Sequence, residues 1–186
     1  MLPDFVEFPK IPRPIVVTEK IDGTNASVTI HEDGRVLAGS RTRWITPEAD
    51  NFGFARWVRE HEPELRALGV GTHYGEWWGQ GIRRGYGQTR KRFSLFNVTR
   101  WAAVGSEAGP KQSFVPVCCD VVPVLGRWDT FDPFAIRAAL HTLAQHGSAA
   151  APGFMRPEGI VVFHSASGIL FKATLEKDEE PKGRGR

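Results

Sequence analysis

Cysteine is almost missing from this 186-residue chain: only Cys118 and Cys119 occur, and sequence neighbours are poorly placed to bridge each other or to build a zinc site. That argues against a disulfide framework and suits a reducing compartment. Long apolar runs are missing too. No window approaches the roughly 18 apolar residues of a membrane span. The opening Met1-Leu2-Pro3-Asp4-Phe5-Val6-Glu7 lacks the basic start and apolar stretch of a secretory signal. The expectation is a cytoplasmic protein with no membrane partner. Charge of one sign is scarce as well, the net value being only +3, so the bulk field says little about what the chain binds. Internal repeats and low-complexity blocks are not found.

What is present is ordinary for a soluble globular protein: 41% apolar and 24% charged residues, on a length that suits one compact domain. The domain is expected to span residues 1–175. From Glu176 to Arg186 the chain carries charges, Gly and Pro without an aromatic or β-branched residue, which predicts a flexible charged tail.

Apolar periodicity predicts an α+β domain of mainly antiparallel sheets with inserted helices. Ile15 to Thr18, Ala26 to Ile30 and Arg35 to Gly39 read as a small antiparallel unit, with the turn at His31-Glu32-Asp33-Gly34. Phe54, Trp57, Val58, His61, Leu65 and Leu68 recur at helical spacing and predict one amphipathic helix. Thr46-Pro47 or Asn51 would start it and Gly69 stop it. His73 to Trp77, Phe93 to Val98 and a long bent Phe114 to Val124 read as strands, the last interrupted by Pro116 and Pro123. Asp132-Pro133 opens a second helix that ends near Gly147, and Gly159 to His164 with Ile169 to Thr174 form a closing hairpin.

The chemistry is concentrated in Glu19-Lys20-Ile21-Asp22-Gly23-Thr24-Asn25, a lysine at the end of an apolar strand followed by a tight turn. A free lysine titrates near 10.4, so a nucleophilic one needs burial or a neighbouring cation to release its proton near neutrality. Lys172 could be that second basic group. A carboxylate at the edge of an apolar strand, such as Glu76 or Glu158, needs a partner, and a metal ion supplies one. Arg83, Arg84, Arg90, Lys91 and Arg92 fall in one stretch without an acid among them, and Gly81, Gly85 and Gly87 make part of it a mobile loop, which reads as a phosphate-tracking surface for nucleic acid or, more plainly, as a solvated face. The six histidines show no paired metal-ligand spacing, and of Trp77 and Trp78 one is expected to face the core.

The order of motifs is more specific than any one of them. Lys20-Ile21-Asp22-Gly23 is followed by Tyr74-Gly75-Glu76-Trp77, Phe93-Ser94-Leu95-Phe96-Asn97, Pro157-Glu158-Gly159-Ile160-Val161-Val162 and Leu170-Phe171-Lys172-Ala173-Thr174. In this order the chain resembles the covalent nucleotidyltransferases, which comprise ATP-dependent DNA ligases, RNA ligases and mRNA capping enzymes. Asn25 and Ser40-Arg41-Thr42 are similar to the phage RNA ligase 2 and RNA-editing ligase branch.

The resemblance implies an ATP-grasp-like nucleotidyltransferase domain in which Lys20 attacks the α-phosphate of ATP and carries AMP, which then passes to a 5′-phosphate of RNA before a 3′-hydroxyl displaces it. It implies Lys172 against the α-phosphate, Asn25, Arg41 and Phe96 around the nucleotide, and Asp22, Glu76 and Glu158 around Mg2+ or Mn2+, directly or through waters. Glu76 would also reach the ribose. RNA, or else DNA or an RNA/DNA hybrid, would be the partner, in a role such as RNA repair. Either the chain acts as a minimal ligase, or a partner protein, domain or further segment stands in for the second domain of such enzymes. Thr174 stands where the family's last motif has a second lysine, and Lys177 lies too far along to replace it without a bulge. The rival expectations are a DNA ligase or capping-enzyme core, and a non-catalytic nucleic-acid-binding module.

Overall fold

The computed structural model describes residues 13–101 and 115–176. The tail from 177 onward, Phe114 and the first residues of the chain lie outside them. Strands β1 (Ile15–Lys20), β2 (Thr24–Ile30), β3 (Val36–Ser40) and β4 (Trp44–Ile45) come first, then helices α1 (Phe54–Glu60) and α2 (Glu62–Leu65). Next are β5 (Gly71–Gly79), β6 (Lys91–Leu95), α3 (Val98–Trp101), β7 (Cys119–Val121) and β8 (Val124–Trp128). The last elements are α4 (Pro133–His146), β9 (Gly159–His164) and β10 (Ile169–Thr174).

Two sheets form, ordered β10-β9-β1-β8 and β4-β3-β2-β5-β6-β7, and every strand pairing is antiparallel except β6 with β7. The α+β expectation holds. No helix among the described residues is long and apolar enough to cross a membrane.

Three local readings are corrected. β2 and β3 make the expected hairpin, but β1 belongs to the other sheet. The chain changes sheets at Ile21-Asp22-Gly23, where a Cβ on Gly23 would stand 2.5 Å from the Trp77 carbonyl oxygen. That approach is open to glycine alone. The single helix over Phe54 to Leu68 is broken after Glu60, because Pro63 has no N–H to donate one turn back and its ring crowds the Arg59 carbonyl. Neither Thr46-Pro47 nor Asn51 caps its start by a side chain; Asp50 accepts from the backbone N–H groups of Ala55 and Arg56 at 2.8 and 3.1 Å. The long bent strand up to Val124 is two strands in different sheets, divided at Pro123, whose carbonyl accepts from Glu19 N at 3.0 Å.

Apolar side chains fill three layers. Val28, Phe54, Leu65, Trp77 and Phe93 pack between the six-stranded sheet and the α1–α2 segment. Ile15, Val17, Leu143, Ile160 and Val162 pack under α4, whose stripe of Ile136, Ala139 and Leu140 lies on the four-stranded sheet. Val16, Ile21, Trp78, Tyr86, Val98 and Val122 fill the space between the two sheets. Strand alternation then decides what faces that inner space. On β1 it is Val16, Thr18 and Lys20; on β5 it is Glu76 and Trp78; on β9 it is Gly159 and Val161. Both tryptophans of β5 are buried, Trp77 in the outer layer and Trp78 in the inner one, so neither offers a face for stacking.

Candidate functional site

Lys20 is the last residue of β1 and is half-buried on its inner face. Its ammonium forms an ion pair with the Glu158 carboxylate, with only 15% and 11% of the two side chains exposed. Glu158 precedes Gly159, the residue that pairs with Lys20 across β9, so the contact follows directly from the strand register. A Cβ on Gly159 would lie 2.1 Å from the Ala173 carbonyl oxygen, and this close approach keeps β10 tight beside the site. The second oxygen of Glu158, Oε2, is buried without a hydrogen-bond partner.

Glu76 reaches the same place from the other sheet. Its Oε1 accepts from Gly23 N at 3.0 Å, so one carboxylate ties β5 to the turn after Lys20. Burial raises its pKa from 4.5 to about 7, against the lowering by the Gly23 N–H and by Lys20; Glu158 and Asp22 raise it further. Lys20, Glu158 and Asp22 are thus the charges that act on the Glu76 carboxylate. Asn25 lies opposite Glu76 in the β2–β5 register, on the same face, and is exposed.

Asp22 is held from two sides. Its backbone N–H donates to the Tyr86 hydroxyl at 2.9 Å, and its carboxylate accepts from Arg84 Nε at 3.1 Å. Arg84 also donates to the Arg156 carbonyl and to Glu176.

Other expected residues stand further out. Lys172 pairs with Val161, which pairs with Thr18, so it shares the inner face but sits two residues down the row from Lys20, on an exposed strand. Thr174 occupies the row of Lys20, across Gly159. Phe96 continues the β5–β6 ladder through its N–H to the Tyr74 carbonyl, which turns its ring to the face of Ser94 and Glu76; it is 38% exposed. Arg41 lies in the exposed turn after β3, and its guanidinium has no partner among the described residues.

The Arg83 to Arg92 segment is corrected from a mobile loop to an anchored one. Tyr86 is buried within it. Arg92 grips Asp120 with two hydrogen bonds of 2.8 and 2.6 Å and lies 5.3 Å over the Trp78 ring, and Lys91 donates to the Phe52 carbonyl. Among its five cations only Arg83 and Arg90 are exposed.

Three supporting residues were not anticipated. Tyr86 and Asp120 are partners of residues singled out in the sequence, but they lie far away in it. Glu19 is buried on the opposite face of β1 from Lys20, where it accepts from Ser148 Oγ at 2.6 Å and Ala150 N at 2.8 Å, and its pKa is raised by burial. A charged residue inside an apolar strand was the available signal.

The donor set fits a divalent ion in one way only. No three His, Cys, Asp or Glu side chains among the described residues converge tightly enough to hold a metal by themselves. Glu158 nevertheless has an orphaned buried oxygen, and its charge is felt at the buried Glu76 carboxylate. Hard carboxylate oxygens of this kind suit an ion that keeps several waters and takes its remaining ligands from phosphates.

Comparison with known proteins bears on the fold and the family. Solved structures of an RNA ligase from Naegleria gruberi share the fold. A lysine-to-alanine variant with ATP and Mn has 20% identity and a TM-score of 0.59, covering 87% of this chain and 50% of that one. A glutamate-to-alanine variant with ATP and Mn has 19% identity and a TM-score of 0.63, with 87% and 50% coverage. The form with PPi has 21% identity and a TM-score of 0.60, with 87% and 49% coverage. The chain therefore spans about half the length of these structures. No curated protein matches it. The RNA ligase family model matches residues 13–174, and the chain belongs to that family.

Proposed function

We propose that this chain is the adenylation domain of an ATP-dependent RNA ligase, spanning residues 1–175 and acting in the cytoplasm, in which Lys20 becomes covalently linked to AMP. The observation that carries the reading is the half-buried Lys20–Glu158 pair at the end of β1, whose charges, with that of Asp22, act on the buried Glu76 carboxylate of the other sheet. A lysine that served only packing would not need buried carboxylates from two different sheets.

In the reaction, the Lys20 amine, once it has lost a proton, attacks the α-phosphorus of ATP. A P–N bond forms as the P–O bond to pyrophosphate breaks. The AMP then passes to a 5′-phosphate of RNA, and a 3′-hydroxyl displaces it, sealing the ends. The protein's part in such transfers is to position groups and offset charge. Glu158 orients the Lys20 side chain. Asn25, Phe96 and Lys172 line the inner face where a nucleotide would lie, Phe96 against the base and Lys172 toward the phosphates. Arg41, exposed in the turn after β3, would meet the nucleotide phosphate or the RNA end. Mg2+ or Mn2+, when bound, would offset phosphate charge; Glu158 and Glu76 would hold it, mainly through waters, and Asp22 is available only as far as Arg84 releases it.

Incubation with labelled ATP or GTP and magnesium, followed by denaturing electrophoresis and peptide mapping, tests the reading. The expected product carries one AMP on Lys20 through an acid-labile, base-stable phosphoramidate. Label on another residue, or none, overturns it. Label from GTP alone would favour capping chemistry.

RNA contact is assigned to the anchored loop, and chiefly to its exposed members. Each phosphate contact to a single strand contributes about −0.7 to the slope of log affinity against log salt. Replacing Arg83 and Arg90 together by alanine should therefore flatten that slope by about 1.4. Replacing Arg84 and Arg92, which are already held by Asp22 and Asp120, should flatten it less. Equal slopes in the wild type and the Arg83/Arg90 variant would return the loop to an ordinary solvated face.

A further inference from the structure

We propose that Tyr86 is the positioning residue that sets the aim of Lys20, by pinning the backbone of the turn that follows it. The proposal rests on reading Lys20 as the nucleophile. Tyr86 stands in a left-handed backbone conformation, φ 52° and ψ 25°, between Gly85 at φ 66° and Gly87 at φ 64°. That region is unfavourable for a bulky aromatic residue, so it persists only where the surroundings hold it. Here they do. The ring is 1% exposed, lies 4.6 Å from the Phe154 ring and meets the Trp78 ring edge-on at 5.3 Å.

What the strained turn delivers is a single oxygen. The Tyr86 hydroxyl accepts from Asp22 N at 2.9 Å. One phenol thus holds the backbone amide two residues after Lys20. Burial pushes the Tyr86 phenol well above its usual range, so it stays neutral and keeps this acceptor role. Arg84, two residues earlier, holds the Asp22 carboxylate from outside. The next N–H along, that of Gly23, belongs to Glu76. The backbone from Asp22 to Gly23 is therefore fixed at consecutive amides by side chains from the second sheet and its loop.

Tyr86→Phe removes the acceptor and leaves the packing. Small misplacement of a nucleophile costs rate rather than binding. The expected result is a fall of about ten- to a hundred-fold in kcat for lysine adenylylation, with KM for ATP within about twofold. Amide exchange at Asp22 should quicken while that of Val28, deep in β2, stays as in wild type. An unchanged kcat overturns the proposal, whether Asp22 exchange quickens or not; so does a loss confined to KM. Should Tyr86→Phe fail to fold, Phe154→Leu loosens the ring while keeping the hydroxyl, and the same kcat-against-KM split is expected. The two readings fail separately: wild type that takes up no AMP refutes the assigned activity. The anchoring role of Tyr86 is then decided by Asp22 exchange alone, unchanged exchange refuting it.

Discussion

Lys20→Arg is expected to keep the fold and to take up no AMP. Arginine preserves the positive charge and most of the length, so the ion pair with Glu158 can re-form at the end of β1. The guanidinium, however, titrates above about 12 and is delocalised, so it does not offer a free amine to phosphorus. Labelling should fall to background, a loss of at least about a thousand-fold, while the urea midpoint moves by no more than about 1 kcal/mol in unfolding free energy. Lys172→Ala is the informative contrast. Lys172 is exposed and two residues down the row, so its loss should slow labelling without moving the site of attachment. Substantial label on the Lys20→Arg protein would remove Lys20 from the chemistry.

The residues of this site were legible because their chemistry is local and their strands alternate. Lys20 followed by Asp22-Gly23 marks a strand end and a turn, and Glu76 sits one residue before a buried tryptophan pair, so its face could be read from period two. What could not be read was which carboxylate meets Lys20. That depends on β9 pairing with β1, a contact across more than half the chain. The same limit explains the basic loop. Gly-spaced arginines carry no sign of whether their partners are solvent, phosphate or the protein itself, and Asp22 and Asp120 lie far off in sequence. Tyr86 carries no local signal of its role: the glycines on either side mark a turn, and its burial depends on Trp78 and on Phe154, which lies far away in sequence. The break at Pro63, in contrast, was open to reading: helical spacing of the apolar residues survives a broken helix, so periodicity outvoted the proline.

The supports of the site also explain its electrostatic cost. Glu19 on one face of β1 and Glu76 opposite Lys20 are both carboxylates raised by burial, and each is retained where an apolar side chain would be less costly. Glu19 accepts hydrogen bonds at both oxygens and ties the Ser148 to Ala151 loop to the strand that carries Lys20. Glu76 is different, since its hydrogen bond from Gly23 engages one oxygen only and its surroundings include two further carboxylates. Stability has been given up at Glu76, and the pH dependence of unfolding should show it.

Below about pH 4.5 Glu76 is protonated in both the folded and the unfolded chain, and the favourable contribution of its neutral form is complete. As pH rises from 4.5 to about 7 the unfolded chain gives up this proton while the folded one keeps it, so stability falls; above about 7 both are ionised and the loss is complete. Each pH unit that separates the folded from the unfolded pKa is worth about 1.4 kcal/mol, so wild type should lose roughly 2–3 kcal/mol through this group between about pH 4.5 and 8. Glu76→Gln keeps an oxygen for the Gly23 N–H and has nothing to titrate, so its decline over the same range should be smaller by that amount. Glu19 contributes a decline of the same sign to both proteins, and the difference between them isolates Glu76. Urea unfolding at about pH 4.5, 6 and 8 measures it, without magnesium and then with it. Magnesium should restore wild-type stability at the highest pH more than that of Glu76→Gln, because only the carboxylate gains a counter-charge, while lysine adenylylation by the variant should fall at least about a hundred-fold. Parallel pH profiles for the two proteins would show that Glu76 ionises in the folded chain as easily as in water, and would remove the physical basis for giving it a functional role.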